Sequence, residues 1–493
     1  MTEILIKTIF TYLLCCFAVT GDVFAQNSSG QGNSAKRAEA APNIIVLLVD
    51  DLGWTDVRCY GSTFYETPNI DKLAQSGLRF TNAYASCNVC SPSRASILTG
   101  KNPARLHLTD WIQGHEKPYA KLLPPHWTQF LPLEETTIAE VLKKKNYATA
   151  SIGKWHLGDD IKYYPENQGF DLNIGGNYLG SPPSYFSPYR IPRLKDGPKG
   201  EYLTDRLTED ALQFIREKKD QPFFLYLSYY AVHIPLQGKP DDVAYFKAKR
   251  DSTANQKNAV YAAVIKSVDE SVGKVTQLVE ALHLAKNTII IFMSDNGGIL
   301  GMKNRITSNL PLRGGKGTSY EGGVRVPFIV RWEGKIKSNT VCDIPIIHAD
   351  FFPTVAEITA SDVSSISGID GVSITPLLFG GKTINRDALF WHYPHYHTEG
   401  ATPFSSIRQG DWKLIYFYET AKMELYNLRN DPGELNDVAG KETKIVTMLY
   451  EKIKKWKQKV GAQDPVSNPD YNPLKVNEGR NPERVVVDSL SDE

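Results

Sequence analysis

The sequence predicts an α/β fold with a large, mostly parallel central sheet flanked by helices, followed by a smaller C-terminal α+β subdomain. Short apolar runs alternate with segments of helical periodicity through most of the chain, which is typical of a parallel sheet covered by helices. After about residue 385, strand patterns follow one another without helices between them. A chain of 493 residues is long enough for a large domain and a smaller companion.

The apolar runs predict the individual elements. Central strands are expected at Ile44–Val49, Ala148–Ile152, Phe223–Tyr229 and Thr288–Met293, and crossover helices at Thr136–Lys145 and Asn258–Leu284. In the subdomain, strands are expected at Ser405–Arg408, Trp412–Phe417 and Glu424–Asn427, and a helix at Lys444–Val460. We therefore predict a large domain over residues 42–384, a subdomain over 385–463 and a tail over 464–493.

The composition is that of a globular protein, with 41% hydrophobic and 23% charged residues. It excludes collagen-like, coiled-coil, wholly disordered and multi-span membrane proteins. The net charge of +1 means that no overall field attracts nucleic acid or an anionic membrane. We expect no nucleic-acid partner and a recognition site that is built locally.

The N-terminal residues predict export. Lys7 precedes an apolar run from Ile9 to Val19 that is too short to cross a bilayer, and Val23-Phe24-Ala25 has the pattern of a cleavage site. Residues 1–25 are expected to be a signal peptide, with an uncleaved anchor as the alternative, and residues 26–41 a flexible leader. The protein would then be periplasmic or secreted, with no membrane span after signal removal.

Each of the four central runs ends in polar side chains that could carry chemistry. Ligands of open α/β sheets bind beyond the carboxyl ends of the strands, so we expect these side chains to converge on one site. They are, in chain order, Asp50, Asp51, Lys154, His156, His233, Asp295 and Asn296.

The acidic members of this set predict a divalent cation. Three crowded carboxylates without a counter-charge would be costly, and Asp50, Asp51, Asp295 and Asn296 all offer hard oxygen ligands. Oxygen ligation favours Ca²⁺ or Mg²⁺ over zinc, and a cage built by protein side chains favours Ca²⁺ over Mg²⁺. For either pair taken alone, a helix cap is the alternative.

Basic residues are also expected near these acidic residues. A metal with several positive groups around one point suits a tetrahedral oxyanion ester, either a phosphate or a sulfate. Taken singly, each basic residue is more often a packing or solvated side chain. The candidates are Arg94, Lys154, His156, His233 and Lys316.

The segment Cys90-Ser91-Pro92-Ser93-Arg94 resembles the signature of the type I sulfatases, the formylglycine-dependent, arylsulfatase-like family of the alkaline phosphatase superfold. The resemblance extends from Pro42 to about Asp437. Further blocks of the family appear at Asp50-Asp51, Gly153–Gly158, His233–Pro235, Asp295–Gly297 and Gly314–Gly317. It implies that a formylglycine-generating maturation enzyme oxidises Cys90 to formylglycine.

The resemblance also implies a role for each site residue. The catalytic residues would be Cys90, Arg94, Lys154, His156, His233 and Lys316, and the Ca²⁺ ligands Asp50, Asp51, Asp295 and Asn296. Arg94 would orient the modified residue, the two lysines would hold sulfate oxygens, His156 would handle the hydroxyl proton and His233 would bond to the leaving oxygen. A hydrated aldehyde supplies one hydroxyl to attack sulfur and a second whose deprotonation lets the aldehyde re-form and expel sulfate.

Other interpretations of the same residues stay open. Cys87-Asn88-Val89-Cys90 also matches a redox or metal-binding CxxC motif, but no second CxxC completes a zinc site, so we expect Cys87 to be a buried apolar residue. Cys59 and Cys342 are expected to be structural or unpaired. The rival functions are a phosphodiesterase or phosphonate hydrolase of the same superfold and a non-catalytic glycan-binding homologue.

The resemblance implies a sulfated carbohydrate as substrate, such as a glycosaminoglycan or algal galactan fragment, with a galactose-type 4-O-sulfate as the specific expectation. Candidate substrate-binding residues are Arg105, His107, Trp111, Trp391, His392 and His395. For the aromatic segment 391–397, the alternative is packing at the junction of the domains.

Overall fold

The computed structural model describes residues 41–249, 253–301 and 305–479. The predicted signal peptide, all but the last residue of the leader and the end of the predicted tail lie outside these residues. The strands are β1 (Asn43–Val49), β2 (Leu78–Phe80), β3 (Ala83–Tyr84), β4 (Leu122–Leu123), β5 (Ala148–Gly153), β6 (Leu172–Ile174), β7 (Phe223–Ser228), β8 (Thr288–Ser294), β9 (Phe328–Trp332), β10 (Thr340–Cys342), β11 (Ile346–Ile347), β12 (Leu389–Tyr393), β13 (Phe404–Gln409), β14 (Trp412–Phe417), β15 (Lys422–Asn427) and β16 (Val466–Ser467). The α-helices are α1 (Pro68–Gln75), α2 (Cys90–Thr99), α3 (Pro103–Leu106), α4 (Ile138–Lys143), α5 (Leu203–Lys218), α6 (Pro240–Lys249), α7 (Ala259–Ala281), α8 (Glu321–Val324), α9 (Phe351–Ile358), α10 (Thr375–Leu378) and α11 (Thr443–Val460).

The central sheet has eight strands in the order β10-β2-β9-β8-β1-β7-β5-β6. Strands β8, β1, β7, β5 and β6 are parallel neighbours, whereas β9 runs antiparallel to both β8 and β2. The predicted mostly parallel sheet is therefore confirmed. The four predicted runs are β1, β5, β7 and β8, and they lie next to one another at its centre.

Helices cover both faces of this sheet. Along β1, Ile45 and Leu47 join a core that includes Val264 of α7, whereas Ile44 and Val46 join a core on the opposite face. Successive side chains of a strand point to opposite faces, so a strand covered on both sides must be apolar throughout. This is why the central strands were readable as continuous apolar runs.

The predicted crossover helices form, but they are shorter than their apolar patterns. At the start of α4, Thr137 Oγ1 accepts a hydrogen bond from the Glu140 amide, and the Glu140 carboxylate accepts one from the Thr137 amide. At the start of α7, Asn258 Oδ1 accepts from the amides of Val260 and Tyr261. These capped ends define where each helix begins.

The C-terminal strands form a separate antiparallel sheet in the order β12-β13-β14-β15, with α11 packed against it through Leu449 and Ile453. The first part of the predicted tail is held on the fold, because β16 pairs with β4 and Asn468 Nδ2 donates to the carbonyls of Pro118 and Ala120. None of the helices formed by the described residues combines the length and the hydropathy that a membrane span requires.

Candidate active site

The carboxyl ends of the central strands bring the predicted acids and bases to one place. Asp50 follows β1, Lys154 follows β5 and Asp295 follows β8. Neighbouring strands fix these positions, since the Lys154 amide donates to the carbonyl of Ser228 at 2.7 Å and the Asp295 amide to that of Val49 at 3.1 Å. The parallel register therefore places side chains that are far apart in sequence at the same edge of the sheet.

The acidic cluster has the chemistry of a hard-cation site. Carboxylate oxygens of Asp50, Asp51 and Asp295 all lie within 4.8 Å of one another, and the three residues are fully buried. Asn296 Nδ2 donates to Asp51 Oδ1 at 2.8 Å. Asp50 Oδ1 and Asn296 Oδ1 are buried and accept no hydrogen bond from any described residue. Buried oxygens without donors, next to three carboxylates, fit the ligand set of Ca²⁺ or Mg²⁺.

A cationic side chain pairs with each carboxylate. Lys154 Nζ lies 2.7 Å from Asp50 Oδ2, and Lys316 Nζ lies 2.8 Å from Asp51 Oδ2. Arg94 contacts Asp295 Oδ2 through Nε at 2.9 Å and Nη2 at 2.8 Å. These pairs are buried, so the positive groups face one centre rather than bulk water.

Burial and these neighbours set the pKa of each acid. Burial raises the pKa of Asp50 well above its ordinary value, Lys154 offsets only part of this effect, and the two other carboxylates add to it. Burial also acts on Asp51 and Asp295, but nearby cations outweigh it, chiefly Lys316 for Asp51 and Arg94 for Asp295, so the pKa values of both acids are lowered. The cluster thus resists carrying three negative charges, and a divalent cation would relieve that resistance.

Cys90 is the first residue of α2 and is 2% exposed. Its Sγ lies 3.3 Å from His156 Nδ1, and Ser91 Oγ lies 3.2 Å from the same nitrogen. Burial raises the pKa of the Cys90 thiol, and Lys154 and Lys316 offset only part of the effect. An unmodified Cys90 would therefore remain a thiol at neutral pH and would be a poor nucleophile.

The backbone of the site is strained at two of the predicted residues. Asp51 and His156 adopt φ values of 61° and 60°, a region that few residues other than glycine occupy. The geometry around His156 is held by the loop before it in sequence, because the Ile112 carbonyl contacts His156 Nε2 and the Ile112 amide donates to Ser91 Oγ at 3.1 Å. Strained residues that persist in this way are concentrated at functional sites.

His233 lies at the edge of the cluster, with 14% of its side chain exposed. Its Nδ1 donates to the Ile234 carbonyl at 2.8 Å, and its Nε2 lies 3.5 Å from Asp51 Oδ2. Burial and the neighbouring Lys316 lower the pKa of His233. Near neutral pH, the His233 imidazole at the entrance of the site is therefore uncharged.

The predicted substrate-binding residues of the C-terminal segment are packed rather than open to a ligand. Trp391 is 2% exposed and donates from Nε1 to the Ala85 carbonyl. His392 contacts Ser405 Oγ and the Gln463 carbonyl, and His395 Nε2 contacts Thr109 Oγ1. The structure favours the packing alternative for these three residues, because their polar atoms already have partners inside the junction.

The remaining three predicted substrate residues differ from one another. Arg105 forms a double hydrogen bond with Asp370, at 2.9 Å and 2.7 Å, so a carboxylate of the protein already occupies its guanidinium. His107 Nε2 contacts the Gly461 carbonyl. Trp111 lies next to Ile112 and therefore adjoins the site, and its Nε1 has no hydrogen-bond partner among the described residues.

Sequence reasoning missed two serines that support the site. Arg94 Nη1 donates to Ser228 Oγ at 2.6 Å, and Ser91 joins Cys90, His156 and the Ile112 amide. Ser228 is the last residue of β7, so the rule that polar residues at strand ends form the site could have found it. Ser91 lies inside the recognised motif, but nothing in the pattern indicates which way its hydroxyl points.

The four cysteines of the described chain, Cys59, Cys87, Cys90 and Cys342, are all free. Cys87 is 3% exposed, as expected for an apolar packing residue. Its Sγ donates to Asn88 Oδ1 rather than pairing with Cys90. The redox interpretation of the CxxC segment therefore has no disulfide to support it.

Comparison with known proteins identifies the family. Residues 42–361 match the profile of the sulfatase family, and residues 315–459 match that of the C-terminal region of N-sulphoglucosamine sulphohydrolase. A sulfatase of Formosa agariphila is 34% identical over 504 residues, covering 85% of this chain and 89% of that protein. Human N-acetylgalactosamine-6-sulfatase is 32% identical over 449 residues, covering 82% of each chain. The solved structure of Ps i-CgsB in complex with k-i-k-neocarrahexaose has 30% identity and a TM-score of 0.72, with 87% of this chain and 94% of that one covered. The chain therefore belongs to the sulfatase family, whose members hydrolyse sulfuric esters.

Proposed function

We propose that this sulfatase cleaves the O-sulfate monoester of a carbohydrate, using a formylglycine formed from Cys90 and a Ca²⁺ held by Asp50, Asp51, Asp295 and Asn296. The observation that carries the proposal is the position of Cys90. It begins α2, lies 3.3 Å from His156 Nδ1 and is close enough to Asp50 and Asp295 that both carboxylates raise the pKa of its thiol. The hydrate of formylglycine would supply the nucleophilic oxygen that a thiol with a raised pKa does not.

The basic residues would bind the sulfate group. Lys154 and Lys316 now neutralise Asp50 and Asp51 at 2.7 and 2.8 Å, and a divalent cation on those carboxylates would leave both ammonium groups available to a bound anion. Positive groups already fixed around the non-bridging oxygens stabilise the charge of the transition state without reorganisation. Arg94 would keep Asp295 and residue 90 in place rather than contact the substrate.

The two histidines would handle protons on opposite sides of the sulfur. His156, held by the Ile112 carbonyl and Ser91, faces residue 90 and is positioned to exchange a proton with its hydroxyl. His233 is partly exposed at the mouth and would supply the proton of the departing sugar oxygen. A bound sulfate ester would raise the pKa of His233, because its negative charge opposes the effect of Lys316.

The substrate class and the setting belong to the same proposal. A relative named N-acetylgalactosamine-6-sulfatase and a solved structure in complex with k-i-k-neocarrahexaose support a galactose-type sulfated sugar. The 4-O-sulfate expected from the sequence is the first position to test. We also propose that a formylglycine-generating enzyme matures Cys90 and that residues 1–25 direct export to the periplasm or the medium.

The experiment compares protein produced with and without a formylglycine-generating enzyme. Mass analysis of the Cys90 peptide measures conversion, and released sulfate is measured with the 4- and 6-sulfates of galactose and of N-acetylgalactosamine. Sulfate release should rise in proportion to conversion and be absent in Cys90→Ala. Fully converted protein that cleaves an aryl phosphodiester but none of these sulfates would instead favour the phosphodiesterase alternative.

A further inference from the structure

Two loops from distant parts of the chain form a wall of nitrogen-containing rings beside the catalytic residues. We call Trp111, His115 and His397 the ring wall. The ring centroids of Trp111 and His115 are 4.9 Å apart, and those of His115 and His397 are 5.7 Å apart, with the planes steeply inclined in both pairs. The proposed reaction does not use His115 or His397.

The first loop reaches the reacting groups directly. Ile112 follows Trp111, and its amide and carbonyl contact Ser91 and His156 respectively. Because both backbone groups of Ile112 are engaged, this loop has little freedom to move away from the site. Trp111 is therefore held next to the residues that would transfer the proton at position 90.

The second loop comes from the C-terminal subdomain and lies against the backbone that carries Lys316. Gly317 has φ 69°, its carbonyl accepts from the Ala401 amide at 3.0 Å, and its amide donates to the Asn88 carbonyl at 2.9 Å. A Cβ atom at Gly317 would lie 2.0 Å from His397 Nδ1, so only glycine admits this approach. His397 is thereby placed beside the lysine that would hold the sulfate.

Two polar atoms of the ring wall have no hydrogen-bond partner among the described residues. Trp111 Nε1 and His115 Nδ1 are buried without a hydrogen-bond partner among the described residues. His397 Nδ1 accepts from the Glu399 amide at 3.1 Å, which leaves the proton on Nε2. Buried polar atoms without partners are costly, so these atoms indicate a ligand with hydrogen-bonding groups.

The charge of the wall identifies the kind of group it would bind. Burial lowers the pKa values of both His115 and His397, and the neighbouring Lys117 and Lys316 lower them further. Two neutral imidazoles and an indole N–H offer single donors and acceptors, which match alcohols better than carboxylates or sulfates. An aromatic face beside them suits the apolar side of a sugar ring.

We propose that Trp111, His115 and His397 form a subsite that binds hydroxyl groups of the sugar carrying the sulfate ester, and that this subsite selects sugar sulfates over aryl sulfates. The inference rests on the proposed function, since it names the part of the substrate that the same site recognises. The subdomain would thus contribute to specificity through a single side chain.

The test compares two substrate types in each variant. The variants are Trp111→Phe, His115→Phe and His397→Phe, which keep an aromatic ring and remove its nitrogens, with conversion of Cys90 matched by peptide mass. The kcat/KM ratio is measured for the best of the four sulfated sugars above against 4-nitrophenyl sulfate, which has no sugar hydroxyls. We expect this ratio to fall at least tenfold in His115→Phe and His397→Phe and several-fold in Trp111→Phe.

His283→Phe is the matched control, because His283 is exposed and lies in the turn before β8, at the opposite end of that strand from Asp295. It should change the ratio less than twofold. Ratios within twofold of wild type in all three wall variants would overturn the inference. So would a wild-type protein that cleaves the aryl sulfate and none of the sugars. If converted wild-type protein released sulfate from neither substrate type, the proposed function itself would fail.

Discussion

Arg94 should make a large contribution to the stability of the active site, and its removal can be followed without measuring activity. Its guanidinium is fully buried and contacts Asp295 Oδ2 at 2.9 Å and 2.8 Å. The remaining nitrogen, Nη1, donates to Ser228 Oγ at 2.6 Å and to the Lys154 carbonyl at 3.1 Å. Arg94→Met keeps most of the length and removes the charge and all of these bonds.

The size of the effect follows from the carboxylate left behind. Removing one partner of a buried ion pair costs about 3–5 kcal/mol, because the other charge stays buried without compensation. At about 2.1 cal/mol/K per residue, the chain of 493 residues has an unfolding entropy of roughly 1 kcal/mol/K, so the melting temperature should fall by about 3–5 °C. Arg429→Met is the control, because the Arg429–Asp411 pair also has a 2.8 Å contact but Arg429 is 75% exposed. An exposed pair contributes about 0–1 kcal/mol.

Thermal unfolding is followed by circular dichroism in EGTA, on protein made without the maturation enzyme, so that Ca²⁺ and modification of Cys90 do not contribute. Adding Asp295→Asn to Arg94→Met should cost less than the sum of the two single changes, by about 1 kcal/mol or more. If Arg94→Met melted within 1 °C of wild type, or if the two changes were additive, the buried pair inferred from the structure would be wrong.

Three further predictions concern the nucleophile, the metal and the pH dependence. Cys90→Ser should melt within about 1 °C of wild type and release no more than one sulfate per protein, because a single hydroxyl cannot expel the transferred sulfate and restore the enzyme. Sustained turnover in a sulfate-release assay would contradict this. Added Ca²⁺ should raise the melting temperature of EGTA-treated protein, since a ligand at a hundred times its Kd adds about 2.7 kcal/mol to the free energy of unfolding. Asp50→Asn should remove most of that increase. An equal increase in both proteins would mean that Ca²⁺ binds elsewhere. Burial raises the pKa of Asp110 from 3.8 to about 8, so the folded protein keeps a proton that the unfolded chain loses, and stability should fall as pH rises from about 4 to about 8. Asp110→Asn retains an acceptor for the Tyr393 hydroxyl and should reduce the dependence of stability on pH, by up to about 1.4 kcal/mol per pH unit. Denaturant midpoints measured from about pH 4 to about pH 8 check this. Midpoints that change equally with pH in both proteins would contradict the raised pKa of Asp110.

The central fold was predictable because its strands are buried on both faces. Such strands appear as uninterrupted apolar runs, and the polar residues that follow them are the ones that meet at the edge of the sheet. The short strand β9 was missed, because Arg331 interrupts the apolar run Phe328–Trp332 and nothing in the pattern shows that this segment pairs antiparallel with β8. Helix ends also differed from the apolar patterns, since caps such as Thr137 rather than the last apolar residue set them.

The substrate-facing residues were the least predictable part of the site. Trp391 and His392 come from an aromatic segment that could equally face a sugar or a core, and the structure packs both. His115 was not among the predicted residues, and His397 was considered only as part of the aromatic segment 391–397. Their relevance comes from the contact between two loops that are more than 280 residues apart, which no local pattern records.

The amino-acid sequence alone was enough to predict the fold class, the polar residues that follow the central strands and, through the motif beginning at Cys90, the expected chemistry. Those features are local: hydrophobic periodicity, capping and a short motif each act over a few residues. The folded structure was needed to learn which carboxylate pairs with which cation, and that Trp111, His115 and His397 lie against one another beside the site. Those outcomes depend on the register of parallel strands and on the docking of the subdomain, where burial and distances of a few ångströms set the energies.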